Sequence, residues 1–477
     1  MENKSFKPTL GLLDATMIVA GSMIGSGIFI VSADISRNVG SAGWLILVWL
    51  ITGFMTTMAA LSYGELSGMF PKAGGQYVYL KEAYNPLISF LYGWSFFSVI
   101  QTATIAAVGV AFAKFTAYIF PVFSETRIIF DLGFLQINAS QPLAMATIIL
   151  LSFINSRGIK DGKIIQTTFT LTKILSLVGL IIFGFWAADA GVFEANWTDA
   201  WSLKKLNPDN SIETYVTVAA LGAIAAAMVG SIFSSDAWNN VTFIAGEIKN
   251  PKRNIGLALF LGTLIVSITY LATNLMYTSV LSMQEIAYSE NDRVALSASQ
   301  KIFGGGEAGT LIIALMIMIS TFGCNNGLIL AGARVYYTMA KDKLFFKGAG
   351  ELNKNAVPGK GLWIQCLVAC IWCLSGKYGD LLNMISFVVV GFYMLTIAGI
   401  FILRKKRPDM ERPYKAFGYP VIPLLYILMG LSFCLLLIIY KPTYTWPGLI
   451  IVLIGIPIYY MQVSRNKNRE SIDSDGE

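Results

Sequence analysis

Two stretches of the chain set backbone-loosening glycines beside polar side chains inside otherwise apolar sequence. The first runs Gly21-Ser22-Met23-Ile24-Gly25-Ser26-Gly27, and the second Gly230-Ser231-Ile232-Phe233-Ser234-Ser235-Asp236-Ala237-Trp238. Both open on Gly-Ser, and their first residues, 21 and 230, stand 209 positions apart. Glycine costs a helix about 1 kcal/mol relative to alanine, so Gly25 and Gly27 favour an unwound segment. Unwinding frees N–H groups at the start of the next half-helix, and those groups, with the helix dipole, attract a carboxylate. Carbonyls freed on the other side can accept from an ammonium group. A zwitterionic α-amino acid matches both ends of such a break. Close packing through small residues also explains Gly21 and Gly25 taken alone. It explains two matched breaks less well, because interrupted helices in corresponding positions mark the mid-membrane site of carriers built from inverted repeats.

Lys173 is the next candidate. It lies twelve residues beyond Asp161, about 18 Å by helix rise, which predicts a position near mid-membrane. An ionisable group there is expensive and is a functional candidate by default. A lysine snorkelling to the cytoplasmic face is the bland alternative. A buried lysine can also lose its proton, so a fixed strut and a proton-coupling group both stay open. Asp236 could attract an ammonium group or cap the half-helix that follows it. Glu65 and Glu247, near the cytoplasmic ends of apolar runs, read mainly as gate or loop-anchoring ion pairs. The third run carries Gln101 but no carboxylate in its membrane part, so an obvious proton relay is missing.

The elements that must position these groups are apolar runs at about 11–36, 42–70, 85–118, 141–157, 162–187, 215–245, 254–281, 308–340, 361–376, 379–403, 420–440 and 445–464. Hydrophobic residues make up 55% of the 477 and charged residues only 13%, against about 25% charged in a soluble domain. About 20 apolar residues cross a bilayer, and backbone groups in lipid must pair within their own segment, so these runs are membrane helices. The fold class is therefore all-α integral membrane, with about twelve transmembrane helices.

Basic residues orient the chain. With the N-terminus and its Lys4 and Lys7 in the cytoplasm, the even-numbered loops fall inside. They hold, among others, Lys72, Lys81, Arg157, Lys160, Lys163, Lys249, Lys252, Lys341, Lys360, Arg404 and Arg412. The outer stretches lean acidic, as at Asp189, Glu194, Asp199, Asp209 and Glu213. Arg465, Lys467 and Arg469 bring the C-terminal tail back inside, as an even helix count requires. The last stretch, RESIDSDGE, reads as disordered. The longest non-apolar stretches, 188–214 and 282–307, are both outside and would cap that face.

The same inventory excludes other functions. The formal charge of +7 is spread over short loops rather than one face, so nucleic acid is not expected as a partner. Cys324, Cys366, Cys370, Cys373 and Cys434 all lie within apolar runs, as small buried hydrophobes do. The chain has no histidine, which removes the commonest acid–base catalyst and a zinc partner for the cysteines. No nucleophile elbow, metal cluster or phosphate loop appears, so neither enzyme activity nor a cofactor or metal is expected. The start, MENKSFKPTL, shows no cleavable signal peptide.

Gly21–Phe29 resembles the first helix of the amino acid–polyamine–organocation superfamily, and of its L-type amino acid transporter branch in particular. Tyr63-Gly64-Glu65-Leu66 with Pro71–Tyr77 is similar to that branch's second helix and re-entrant loop. Phe233–Asn239 with Glu247–Pro251 is similar to its sixth helix, and Ser320–Gly327 with Arg334 to its eighth. The motifs run in order from about 10 to 405. The resemblance implies a leucine-transporter-type fold, with 11–187 and 215–403 as five-helix inverted repeats, 420–464 as two peripheral helices, and 1–10 and 465–477 as cytoplasmic ends. It implies that Ser26, Gly27 and the Ile28 amide hold a substrate carboxylate. The carbonyls of Met23, Phe233 and Asp236 would hold its ammonium, in a site also lined by Gly25 and Ser234. Phe233 would be the aromatic gate, and Trp238 and Asn239 would line or support the site. Lys173 would take the place of a sodium ion in sodium-driven relatives, tying the first helix near Gly21–Ser22 to Ser320 of the eighth.

Two departures matter. Ser235 stands where the branch often has an aromatic residue, which leaves side-chain preference open. The stretch 119–140 has no cysteine, which argues against a disulfide-linked heavy subunit and for a free-standing, prokaryotic protein. The expected function is sodium-independent transport of small or neutral L-amino acids across the plasma (inner) membrane, by alternating access, as exchanger or proton-linked carrier. A carrier of cationic amino acids or polyamines is the alternative if Asp236 faces the substrate side chain; a channel or sensor on the same fold is another. Beyond the amino acid, the expected partner is membrane lipid.

Overall fold

The structure is a computed structural model that describes residues 8–131, 133, 136–375 and 378–474, with the side chains at 159–167, 217–218, 375, 444 and 467–474 left out. Lys4, Lys7, the side chains of Lys160, Asp161, Lys163, Lys467 and Arg469, and the last three residues of the tail lie outside that description.

The first apolar run divides. Helix α1 (Leu12–Met23) stops, the helix is interrupted over residues 24–26, and α2 (Gly27–Ile30) and α3 (Ser32–Val39) follow. Gly40, at φ +65°, ends α3 in the left-handed conformation that glycine adopts without strain. A long α4 (Ala42–Met69) returns, and α5 (Gln76–Ala83) leads into α6 (Pro86–Ser95). The start of α6 is set locally: the Asn85 side chain accepts from the Ile88 amide, and Pro86 fills the first helical position. A π turn at 96–100 joins α6 to α7 (Gln101–Ile119), so the two form one crossing.

A small antiparallel hairpin, β1 (Ile128–Asp131) and β2 (Gln136–Asn138), precedes α8 (Ser140–Arg157) and α9 (Ile159–Trp186). Next come α10 (Ala190–Thr198) and a second hairpin, β3 (Lys204–Leu206) and β4 (Ile212–Thr214). The sixth run divides like the first, into α11 (Thr217–Ser234) and α12 (Asn240–Phe243). After α13 (Pro251–Val280) the stretch 282–307 folds as α14 (Met283–Ala287) and α15 (Val294–Ile302). The chain ends with α16 (Glu307–Lys341), α17 (Gly359–Ser375), α18 (Tyr378–Lys406), α19 (Val421–Tyr440) and α20 (Pro442–Ser474). The last of these corrects the expected disorder of the tail, since the helix runs on to Ser474.

Among the described residues nine helices are long and apolar enough to cross a membrane, and Ala219–Ser234 and Gly359–Leu374 are shorter apolar helices. Their outer surface suits lipid. On α19, Leu424, Leu428, Leu431 and Leu435 form an exposed stripe at helical spacing, while Tyr426, Phe433 and Leu437 on the other side are buried.

The two broken helices cross each other antiparallel: α1 packs against α12, and α2 against α11. Helix α13 lies along α4, and α16 packs against α7 and α9, enclosing the crossing. The stretches 188–214 and 282–307 pack over one end of the bundle. Asn196 of α10 donates to the carbonyls of Thr278 (2.8 Å) and Leu281 (2.9 Å), and Arg37 of α3 reaches Asp292 at 2.6 Å. On the opposite face the N-terminal segment forms a parallel β-bridge, Leu10 with Ile248. The Thr9 and Leu10 amides donate to the Glu247 carbonyl at 2.9 and 3.0 Å, and Lys249 donates back to Leu10 at 2.8 Å.

Candidate functional site

The first break exists because four consecutive carbonyls find side-chain donors instead of the next turn of helix. Lys173 of α9 donates from Nζ to the carbonyls of Gly21 (2.5 Å) and Ile24 (2.8 Å). Cys324 of α16 donates to Ser22 at 3.2 Å, and the Tyr270 hydroxyl of α13 to Met23 at 2.9 Å. Buried backbone groups must pair, so these donors allow Ile24 to leave the helix at φ −72°, ψ 89°. The chain restarts at Gly27, and the first amides of α2, at Gly27 and Ile28, have no acceptor within so short a helix.

Gly27 is also where the two breaks touch. A Cβ there would overlap the Ser234 hydroxyl, come within 2.6 Å of the Ser234 Cβ and reach its Cα at 3.0 Å. A Cβ on Gly25 would meet the Cys324 Sγ at 2.8 Å. The Tyr270 hydroxyl lies 3.1 Å from the Ser234 carbonyl as well, so one side chain bridges the ends of α1 and α11.

The second break is braced from α18. The Tyr393 hydroxyl donates to the Asp236 carboxylate at 2.5 Å, and Ala237 sits at φ +63°. The capping reading of Asp236 needs correction: α12 begins after Asn239, and the carboxylate turns to Tyr393 instead. Asn239 donates to Gln76 at 3.0 Å, and Gln76 to Thr396 at 3.0 Å, tying the break to the start of α5 and to α18.

A cavity lies between the breaks. Met23, Gly25, Ser26 and Gly27 line one side of it, and Phe233, Ser234 and Asp236 another. Thr104 and Val108 of α7, with Cys324 and Leu328 of α16, complete the wall. Two neighbouring cavities flank it. One carries Gln101, Asn239 and Asn240, the other Thr52, Thr56, Trp238 and Tyr426, and Asp236 lines all three.

The remaining expected residues fall elsewhere. Ile28 is buried beside the cavity, its carbonyl accepting from Tyr277 at 3.3 Å. Trp238 faces away from the first break and packs edge-on against Tyr63 at 4.7 Å and near Tyr393 at 5.1 Å. The expected tie from Lys173 to Ser320 is not made. The α16 residue at that level is Cys324, one turn further on, while the Ser320 hydroxyl is buried without a hydrogen-bond partner among the described residues. Glu65 lines none of the three cavities: it accepts from Arg404 at 3.0 and 2.7 Å and from the Ala416 amide at 2.7 Å, and lies in an ion pair with Arg412 at 3.3 Å. That is a loop anchor, tying α4 to the end of α18 and the loop after it. Glu247 pairs with Arg334 at 3.2 Å in a fully buried bridge.

Tyr270, Tyr378, Tyr393 and Cys324 were not expected. Tyr270, Tyr393 and Cys324 are polar tips inside apolar runs, Tyr378 stands just ahead of the run at 379–403, and each must find a partner within the bundle. That signal was available in the sequence for the three tyrosines, but it names no partner. Among the described residues, no group of three or more His, Cys, Asp or Glu is arranged to hold a metal ion.

A multi-pass helical bundle whose two interrupted helices meet around a mid-bundle cavity is the architecture of a secondary transporter. The profile of a family described as amino acid permease matches residues 10–460, and the chain belongs to that family. It is 28% identical over 463 residues to the Asc-type amino acid transporter 1 of Mus musculus, covering 97% of this chain and 82% of that one. It is 29% identical over 467 residues to the b(0,+)-type amino acid transporter 1 of Homo sapiens, covering 96% and 88%. Against the large neutral amino acids transporter small subunit 2 of Homo sapiens it is 29% identical over 461 residues, covering 96% and 81%.

Proposed function

We propose that the protein carries small or neutral L-amino acids across the plasma membrane without sodium, by alternating access, as an exchanger or proton-linked carrier. The observation that carries this reading is the pair of hydrogen bonds from Lys173 to the Gly21 and Ile24 carbonyls. A fixed ammonium there supplies the positive charge that a bound cation would bring. The cavity beside it offers α2 amides and Ser26 to a carboxylate. It also offers the Met23 carbonyl, which keeps a second lone pair, to an ammonium. Phe233, Val108 and Leu328 give the side chain an apolar wall.

The division into inverted repeats at 11–187 and 215–403, with 420–464 peripheral, is supported by each set opening on a broken helix. We place both termini in the cytoplasm on the distribution of lysine and arginine. We also infer a carrier that works without a disulfide-linked heavy subunit. Its five cysteines lie within α16, α17 and α19, and four of them are buried.

A second reading, transport of cationic amino acids or polyamines, is favoured by Asp236 lining all three cavities. Purified protein in liposomes separates the two. Saturable flux of alanine, serine or leucine, stimulated by internal amino acid and unchanged when sodium is replaced by choline, supports the first. Flux that answers to lysine or putrescine instead supports the second, and absence of any amino acid flux removes both.

A further inference from the structure

We propose that Tyr378 roofs the site on its outer side and donates a hydrogen bond to the carboxyl end of the substrate; this rests on the amino acid reading above. Tyr378 is the first residue of α18, and its hydroxyl lies 3.0 Å from the Ser26 Oγ. Its ring stands edge-on to Phe233, with centroids 6.0 Å apart and planes at 84°. Ser26 and Phe233 both line the central cavity, so one side chain from α18 touches the first break through a hydroxyl and the second through a ring.

The position fixes the role. Along the chain α1 rises toward the outer face, so Ser26 stands outward of Met23, and Tyr378 meets it from that side. Ser26 adjoins the unpaired first amides of α2, where a carboxylate is favoured. A hydroxyl within reach of Ser26 is therefore within reach of a carboxylate held there. Tyrosine serves both needs: its O–H hydrogen turns from Ser26 to the carboxylate while the ring stays on Phe233. A hydrogen bond to a charged acceptor is worth about twice a neutral one, so binding is favoured over the resting contact.

Two measurements test this. Tyr378→Phe keeps the ring and removes the donor. In liposomes it should weaken competition by free amino acids about tenfold and leave competition by their methyl esters, which lack the carboxylate, unchanged. Equal loss for acid and ester, or no loss, overturns the donor role, and wild-type flux in the same assay reports separately on the amino acid reading. The roof is tested without any substrate. Cys324 lines the cavity, and its labelling by a membrane-impermeant thiol reagent added outside can be read by mass spectrometry. Labelling should rise several-fold in Tyr378→Ala and stay near wild type in Tyr378→Phe. Unchanged labelling in Tyr378→Ala overturns the roof.

Discussion

The Nζ of Lys173 lies 2.8 Å from the carbonyl oxygen of Ile24, the first residue outside the geometry of α1. A side chain from one helix thus holds open the end of another. Replacing it by methionine keeps the length and removes the donor. The Gly21 and Ile24 carbonyls then lose their partner, at a cost of about 1–3 kcal/mol for each buried group left unpaired. We expect Lys173→Met to insert in the membrane, to melt at a lower temperature and to lose transport. Flux by the unmodified protein should be the same in sodium and choline media. A sodium requirement would sink the strut reading.

Gly27→Val should abolish flux and leave insertion intact, because the added atoms collide with Ser234. Gly27→Ala should already cut flux strongly. Ser234→Gly in the same chain should recover part of it, since the overlap is with that one side chain. Full flux in Gly27→Val would take the first break out of the mechanism.

Asp236→Asn keeps an oxygen to accept from Tyr393 and removes the charge. We expect neutral amino acid uptake to stay within about threefold of wild type, since the change is smaller than the loss of one hydrogen bond. A loss confined to lysine or putrescine competition would favour the cationic carrier.

Among the described residues the Glu247–Arg334 pair is the most deeply buried ion pair, with both side chains almost wholly out of solvent. Arg334→Met strands the carboxylate and should destabilise the protein by about 3–5 kcal/mol, read as a lower melting temperature in detergent. Adding Glu247→Gln should return part of the loss. No difference between single and double variants would mean that the pair is not coupled.

Outside the membrane, Glu285 closes a capping box with Ser282 and pairs with Lys301 at 2.9 Å. Partial burial pushes its carboxyl up, but the hydrogen bonds from Lys301 and Ser282 outweigh that and hold it below its ordinary value. A carboxyl lowered in the folded state adds stability above its unfolded pKa, about 4.3, and loses it as pH falls through the folded value. Amide exchange across 282–301, corrected for intrinsic rates, should be level between about pH 8 and 5 and rise below about 4. A rise already near neutrality would contradict this.

The parts of the site that sequence revealed are the local ones. Gly25 and Gly27 announce a break wherever the helix goes, and counting residues pointed to Lys173 as a group inside the bundle, where it is fully buried. Tertiary partners were not legible. Tyr270 meets Met23 across 247 positions, Tyr378 meets Ser26 across 352, and Tyr393 meets Asp236 across 157. Ser320 and Cys324 share a face of α16 one turn apart, so periodicity identifies the face and leaves the level undetermined. Asp236 shows a second limit: a carboxylate in a break suits a cap, but α12 begins only at Asn240 and the Asp236 carboxylate accepts from Tyr393.

The β-bridge between Leu10 and Ile248 joins the front of the chain to the end of the second broken helix through main-chain atoms alone. Side-chain substitution at Leu10 or Ile248 leaves those three bonds available, so sequence can drift there while the attachment persists. The same attachment makes the N-terminus a handle. Tension or bulk applied ahead of Thr9, by a tag or a docked protein, acts on the Glu247 carbonyl. Through the Glu247 side chain it acts on Arg334 in α16, the helix that also carries Cys324 and Leu328 into the cavity wall.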